Sequence, residues 1–441
     1  MLSKAMGKVC RILPARTLVG RLTRRAWGAV ASLLRIRDYL PEAPSESFQA
    51  ELEGLPGWCD ILVQVENFEA GGLENVVIDL NKTLVEASYQ VVLLVMGNQG
   101  PAVELARGRN LTVLCQKYDS AIHARIIAHL KPKIVIGHYC NLGIENIHSR
   151  NIPFIQVLHN IYMWFNETER RRFIRETTLT NAFVAVSEQV KYYSVSRLGV
   201  PEEKCTVITN GIDISAFGCA SSIDMRSSLR RSFGFADDDF IFIDVGAINH
   251  QKNHLGTLKA YGETVKTCPN ARLLIIGPVY EKHLLQELED YIVNNNLQGK
   301  AIYVGSVSRI HSYLAMADGF VSGAFFEGCQ LTLLEALKAN LPIVTSNVGH
   351  ASAFAGNGGV ALVPPVYDIA AYNGAIWEMQ SNREFEIRLA NAMNRVVSFP
   401  VRPNLSVTEL HKLDRRSSYQ EYINLLDGYL KNRCGDKRQF V

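Results

Sequence analysis

Strand-length runs of Val, Ile and Leu recur along this chain in two separate series, and that recurrence leaves few folds open. The first series passes through "DILVQV", "YQVVLLVMG", "LTVLCQ", "KIVIGH", "FIQVLH", "AFVAVS" and "CTVIT". The second passes through "FIFIDVG", "ARLLIIG", "AIYVGS", "GFVSGA", "IVTSN" and "GVALVPP". Helix-length segments such as "LENVVIDLNKTLVEA" and "HLGTLKAYGETVKTC" lie between them. Runs that are apolar throughout, rather than alternating, belong to strands buried on both faces, and their alternation with helices predicts parallel sheets. The rhythm stops at "NGIDISAFG", residues 210–218, which opens on the turn dipeptide Asn210-Gly211 and leads into the polar "CASSIDMRSS". The expected class is α/β, with two doubly wound domains facing a central cleft where the strand C-terminal ends meet. Two domains also suit 441 residues, since one core seldom serves more than about 250–300.

The expected boundaries are an N-terminal extension over 1–45, a first domain over 58–215, a second over 225–400 and a helical stretch over 405–435. In that last stretch Tyr419, Tyr422, Leu425 and Leu426 share one side. A net charge of +3 is too small to make nucleic acid a partner. Its distribution is uneven: residues 1–37 hold nine Lys or Arg and no acid, which suits either a solvated helix or one lying on an anionic membrane surface with Trp27, Leu33 and Leu34 inward. Nothing approaches the about 18 consecutive apolar residues of a spanning helix. Nine scattered cysteines without a Cys-x-x-Cys pair argue against a disulfide framework and for a reducing, cytoplasmic setting.

Two places carry candidate chemistry. In "FIFIDVGAINHQKNHLGTLKAY", Gly246 leaves a strand and Lys252 precedes a helix, the pairing of charge and free N–H groups that receives phosphate. His250 and His254 have the spacing of a metal pair but no third ligand nearby, so no metal is expected. In "GFVSGAFFEGCQLTLLEALKANLPIV", a strand runs into a loop and a helix begins near Gln330 or Leu331, giving a second anion site. Glu327 stands in that loop beside Gly328 and Cys329; Glu335 stands eight positions on, within a leucine-rich helix. A carboxylate in such a place needs a partner, either hydroxyls of a bound ribose or a lysine such as Lys338.

The segment "EGCQLTLLEALKANLPIVTSNVG" resembles the E-x7-E signature of retaining GT-B glycosyltransferases, family 4 in particular. "AGGLENVVIDLNKTL" resembles that family's glycine loop, "FIQVLHN" its active-site histidine segment, "VGAINHQKN" its phosphate motif, and "VAVSEQVKYYSVSRLGVPEEKCTVITNGIDISAF" the exit from its first domain. The resemblance implies two Rossmann-like domains, with the closing helix packed back on the first. It implies sugar transfer with retention from a nucleotide-sugar donor to a saccharide or lipid-linked hydroxyl acceptor, with no cofactor or metal. Lys252 would bind the donor phosphates, Glu327 the sugar hydroxyls and Glu335 the ribose. Gly71, Gly72 and the backbone around Gln330 and Leu331 would meet the diphosphate, and Gly246, Gly328 and Cys329 would also belong to the donor site. His159 would stand beside the transferring sugar, and His138, at another strand end, is a candidate acceptor-side contact. Surface polysaccharide or glycolipid assembly on the cytoplasmic membrane face fits the basic arm.

The chain departs from the family pattern at three points. Ala247 stands where an arginine is usual, Gln330 where a glycine is, and Ser352-Ala353 where Pro-Glu is. His250 and Asn253 are the nearest replacements for the arginine. These departures keep two other readings open: a GT-B module that binds a nucleotide sugar without turnover, and a nucleotide-sugar epimerase or hydrolase.

Overall fold

The computed structural model describes residues 46–69, 71–217 and 223–435; the basic arm over residues 1–37, and with it the expected membrane-lying helix, falls outside them. Each apolar run forms a strand. β1 Ile61–Val65, β2 Val91–Val95, β3 Val113–Cys115, β4 Ile134–His138, β5 Phe154–Leu158, β6 Ala182–Ala185 and β7 Cys205–Val207 make one sheet; β8 Phe240–Val245, β9 Ala271–Ile276, β10 Ala301–Gly305, β11 Gly319–Ser322, β12 Ile343–Ser346 and β13 Val360–Val363 make the other. Every pairing between them is parallel. Residues of β1, β2, β4 and β5 are buried along their whole length, which is why these strands read as continuous apolar runs.

The strand orders are β3-β2-β1-β4-β5-β6-β7 and β10-β9-β8-β11-β12-β13. Each order reverses once, between β1 and β4 in the first sheet and between β8 and β11 in the second. In an open parallel sheet the helices leave the two strands at such a reversal toward opposite faces, so a crevice forms beyond their C-terminal ends. The loops that follow β1, β4, β8 and β11 contain Gly71, Tyr139, Lys252 and Glu327 respectively. The topology therefore fixes where any site must be.

The closing stretch, expected as one helix, is two. The helix Val407–Leu413 starts on a capping box between Ser406 and Glu409, and stops at Asp414, whose backbone is extended. There the chain crosses the interdomain segment: Ile212 N–H donates to Leu413 O at 2.8 Å and Arg415 N–H to Ile212 O at 3.0 Å. Gly211 is a glycine because of this crossing, since a Cβ there would strike the Arg415 backbone. The second helix, Arg415–Gly435, then lays Tyr419, Tyr422 and Leu426 into the core of the first sheet. Arg415 secures its start, with Nη1 2.5 Å from Asp79 and Nη2 2.7 Å from Asp213. Leu426 is fully buried, so Leu426→Ala should cost about 2–5 kcal/mol. Urea denaturation checks this, and an unchanged midpoint would mean the helix is not anchored there. Among the described residues no helix is long and apolar enough to cross a membrane.

Candidate functional site

Lys252 and Glu327 meet across the second sheet's crevice, Nζ to Oε1 at 2.5 Å. The lysine arrives on a short 3-10 turn, His250–Lys252, that is capped by Asn249 Oδ1 accepting from the Lys252 N–H at 3.1 Å. Its stem runs over Gly246, where a Cβ would lie 3.0 Å from Lys252 Cδ. Glu327 is almost wholly buried. Its other oxygen accepts from Gln251 Nε2 at 3.0 Å, and Gln251 in turn accepts from Asn160 Nδ2 of the first domain at 3.3 Å. Gly349 covers the carboxylate in left-handed backbone (φ 60°), and a Cβ there would sit 2.8 Å from that of Glu327.

The helix Leu331–Lys338 begins on Gln330 with no side-chain cap, and the helix Gly72–Glu86 begins on Gly71 with none either. The two starts face each other closely enough that a Cβ on Gly72 would lie 3.3 Å from Leu331 Cδ1. Two uncapped helix N-termini and a lysine converge, an arrangement suited to a diphosphate. Gln330 turns its side chain inward, donating from Nε2 to Ser322 Oγ at 2.9 Å, so it contributes backbone to this place. Cys329 points to Asn210 O at 3.8 Å, and burial pushes its thiol up to about 12, which leaves it unreactive. Gly328 lies against the first domain, where a Cβ would run into the carbonyl oxygen of His159.

His159 and His138 are both buried and form a pair, Nδ1 of His138 to Nε2 of His159 at 2.8 Å. Burial lowers His138 to about 3 and, together with His138 itself, holds His159 well below the ordinary range. Both rings are therefore neutral, one donating to the other. His138 also lines a cavity of about 540 Å³ in the first domain, together with Glu66, Glu74, Tyr139, Tyr162 and Trp164. Tyr139 and Tyr162 occupy left-handed backbone (φ 50° and 34°) and stack edge to face at 5.6 Å. Two bulky residues held at positive φ mark a place where surrounding structure imposes local strain.

Glu335 has no ion pair with Lys338; among the described residues no ion pair or side-chain hydrogen bond involves it, and burial raises its pKa to about 7. His250 and Asn253 do not replace the missing arginine. His250 pairs with Glu281, and Asn253 caps the helix His254–Thr267, with its Nδ2 on Gly323 O at 2.8 Å. His254 is not a metal partner of His250: it is buried, with Nδ1 2.7 Å from Asp244. Ser352 and Ala353 are exposed on a short 3-10 turn. Gln251 and the aromatic wall were not singled out from sequence. "IYMWF", residues 161–165, carried a signal for the wall in its density of rings, whereas a lone glutamine carries none.

Known proteins share the sequence pattern and the fold. The family model described as glycosyl transferases group 1 matches residues 225–395, and that of glycosyltransferase family 4 matches residues 70–216. The chain belongs to the group 1, family 4 glycosyltransferases and has their GT-B fold. It is 23% identical over 303 residues to the Escherichia coli UDP-Gal:alpha-D-GlcNAc-diphosphoundecaprenol alpha-1,3-galactosyltransferase, a match covering 66% of this chain and 77% of that one. It is 24% identical over 233 residues to the alpha-monoglucosyldiacylglycerol synthase of Acholeplasma laidlawii, covering 49% of this chain and 58% of that enzyme. Two uncharacterized Methanocaldococcus jannaschii glycosyltransferases are likewise matched over only 57% and 55% of their lengths. Anabaena Alr3699/HepE in complex with UDP has the same fold, with TM-score 0.66 and 17% identity over 84% of this chain and all of that one.

Proposed function

We propose that this glycosyltransferase moves a sugar, with retention of anomeric configuration and without a metal ion, from a nucleoside-diphosphate sugar to a saccharide or lipid-linked hydroxyl. The observation that carries the reading is the pair of half-buried Lys252 and buried Glu327 beside two uncapped helix N-termini. The diphosphate sits between the Gly71-Gly72 turn and Leu331, with Lys252 neutralising the charge that develops as it leaves. Glu327 then turns from the lysine to the sugar hydroxyls, and Glu335 takes the two ribose hydroxyls. His159 presents a neutral ring beside the transferring sugar. The bond from the anomeric carbon to the phosphate oxygen breaks, the acceptor oxygen bonds to that carbon on the same face, and the acceptor proton passes to the departing phosphate.

The acceptor belongs in the cavity of the first domain. Polysaccharide or glycolipid assembly is supported by what the Escherichia coli and Acholeplasma relatives are named for. Attachment to the inner membrane face would rest on residues 1–37. Thermal unfolding against UDP-, GDP-, CDP-, dTDP- and ADP-sugars tests the donor. A ligand at about 100 times its dissociation constant adds roughly 2.7 kcal/mol, a visible rise in melting temperature. A rise with one nucleotide, accompanied by product when acceptor is supplied, is the expected result. The same rise without product would favour a binding module, a reading that Ala247 supports by leaving Lys252 without a second cation. Donor breakdown without acceptor would favour a hydrolase or epimerase.

A further inference from the structure

His250 and Lys252 share one short turn, yet their side chains go to different carboxylates. Lys252 goes to Glu327, whereas His250 places Nδ1 2.7 Å from Glu281 Oε2 and donates its backbone N–H to Oε1 at 3.0 Å. Glu281 lies in the loop after β9, at the threshold of the helix Lys282–Asn294. His283, in the first turn of that helix, brings Nε2 to 3.9 Å from the same Oε2. One ligand atom from each of the three residues lies within 4.8 Å of the other two, and no other such group occurs among the described residues. Two imidazoles and one carboxylate are the ligand set of a divalent ion of borderline softness, zinc above all.

We propose that His250, Glu281 and His283 form a zinc-type cation site separate from the transfer chemistry. Zinc bonds of about 2.0–2.2 Å to nitrogen and oxygen set ligand atoms roughly 3.3 Å apart around a tetrahedral centre. The separations of 2.7 Å and 3.9 Å from Glu281 Oε2 bracket that value. His283 is free to rotate because its side chain is 61% exposed. On binding, His250 takes the tautomer that carries its proton on Nε2, which leaves the Nδ1 lone pair for the ion. Three protein ligands leave zinc one open position, which water fills.

The site joins the turn that carries Gln251 and Lys252 to the helix Lys282–Asn294, so an ion there braces the loop beneath the Lys252–Glu327 pair. A cavity of about 580 Å³ adjoins it, lined by His250, His283, Lys259 and Trp377. The test uses the full chain freed of metal by a chelator and titrated with Co²⁺, followed by d–d absorption, and with Zn²⁺, followed by calorimetry. The wild type should take up one equivalent more than His283→Ala and one more than Glu281→Gln, and only the wild type should gain melting temperature with zinc. Because His283 is exposed, its replacement leaves the fold intact. Equal uptake by the wild type and His283→Ala, whether one equivalent or none, overturns the site. Binding is read without turnover, so the outcome is independent of the proposed transferase mechanism.

Discussion

Lys252→Ala is expected to lower turnover by about 10²–10³-fold, the usual cost of removing one preorganised group that stabilises transition-state charge. It is also expected to destabilise the ligand-free protein, because it leaves the buried Glu327 carboxylate with Gln251 as its only described partner. Breaking a buried pair from one side costs about 3–5 kcal/mol, and the lower end applies here since the lysine keeps 20% of its side chain exposed. Glu327→Ala removes the other partner. It should abolish transfer while costing less stability, because an unpaired lysine turns to solvent more readily than a buried carboxylate. The double variant Lys252→Met/Glu327→Leu separates the two effects. It should recover most of the lost stability and none of the activity, since replacing both partners of a buried pair by apolar groups is often neutral. Urea denaturation and steady-state kinetics on the three variants decide the matter. Normal turnover in Lys252→Ala would remove the lysine from the mechanism.

On the proposed function, the pair would also link donor binding to the contact between the two domains. Glu327 is tied through Gln251 to Asn160, and Gly328 touches the His159 carbonyl. A donor that draws Glu327 toward sugar hydroxyls therefore loosens or resets a contact between domains. That would couple donor binding to a closure that excludes water from the reacting carbon.

The strands were legible in the sequence because burial on both faces leaves an unbroken apolar run, and the order of those runs already implied two parallel sheets. Lys252, Glu327 and the helix start at Leu331 were legible for a related reason, since each lies just past a strand that feeds the crevice, whereas the Gly71-Gly72 start was picked out by family resemblance. What sequence concealed was pairing between loops. Glu281 and His283 follow β9, His250 follows β8, and only the adjacency of those strands brings the three together. The His250–His254 spacing suggested a metal pair, but His254 belongs to a helix that turns it inward to Asp244. Asn253 looked available for phosphate, yet its left-handed backbone and side chain are taken up in capping. The break at Asp414 was hidden because helical periodicity continues through it; the strand-like crossing with Ile212, not local propensity, interrupts the helix.

Glu335 gives the sharpest pH signature. Burial raises its pKa from 4.5 to about 7, with no charged partner to offset the cost. In the unfolded chain the carboxyl ionises near its ordinary value, so between that value and about 7 the folded protein holds a proton the unfolded one has lost. The contribution to stability is therefore full below pH 4.5 and is lost as pH rises through 7. At about 1.4 kcal/mol per pKa unit, the ligand-free wild type should lose about 3 kcal/mol across that window relative to Glu335→Gln. On the proposed function, ribose hydroxyls would reverse the balance: they would donate to the ionised carboxylate, stabilise it and expel its proton. Nucleotide affinity should consequently rise between about pH 6 and 8 in the wild type and stay flat in Glu335→Gln. Calorimetry near pH 6.5 in buffers of different ionisation enthalpy should detect proton release on binding by the wild type alone. A nucleotide that binds both proteins equally, with no proton released, would mean that Glu335 is buried for packing and that the ribose is held elsewhere.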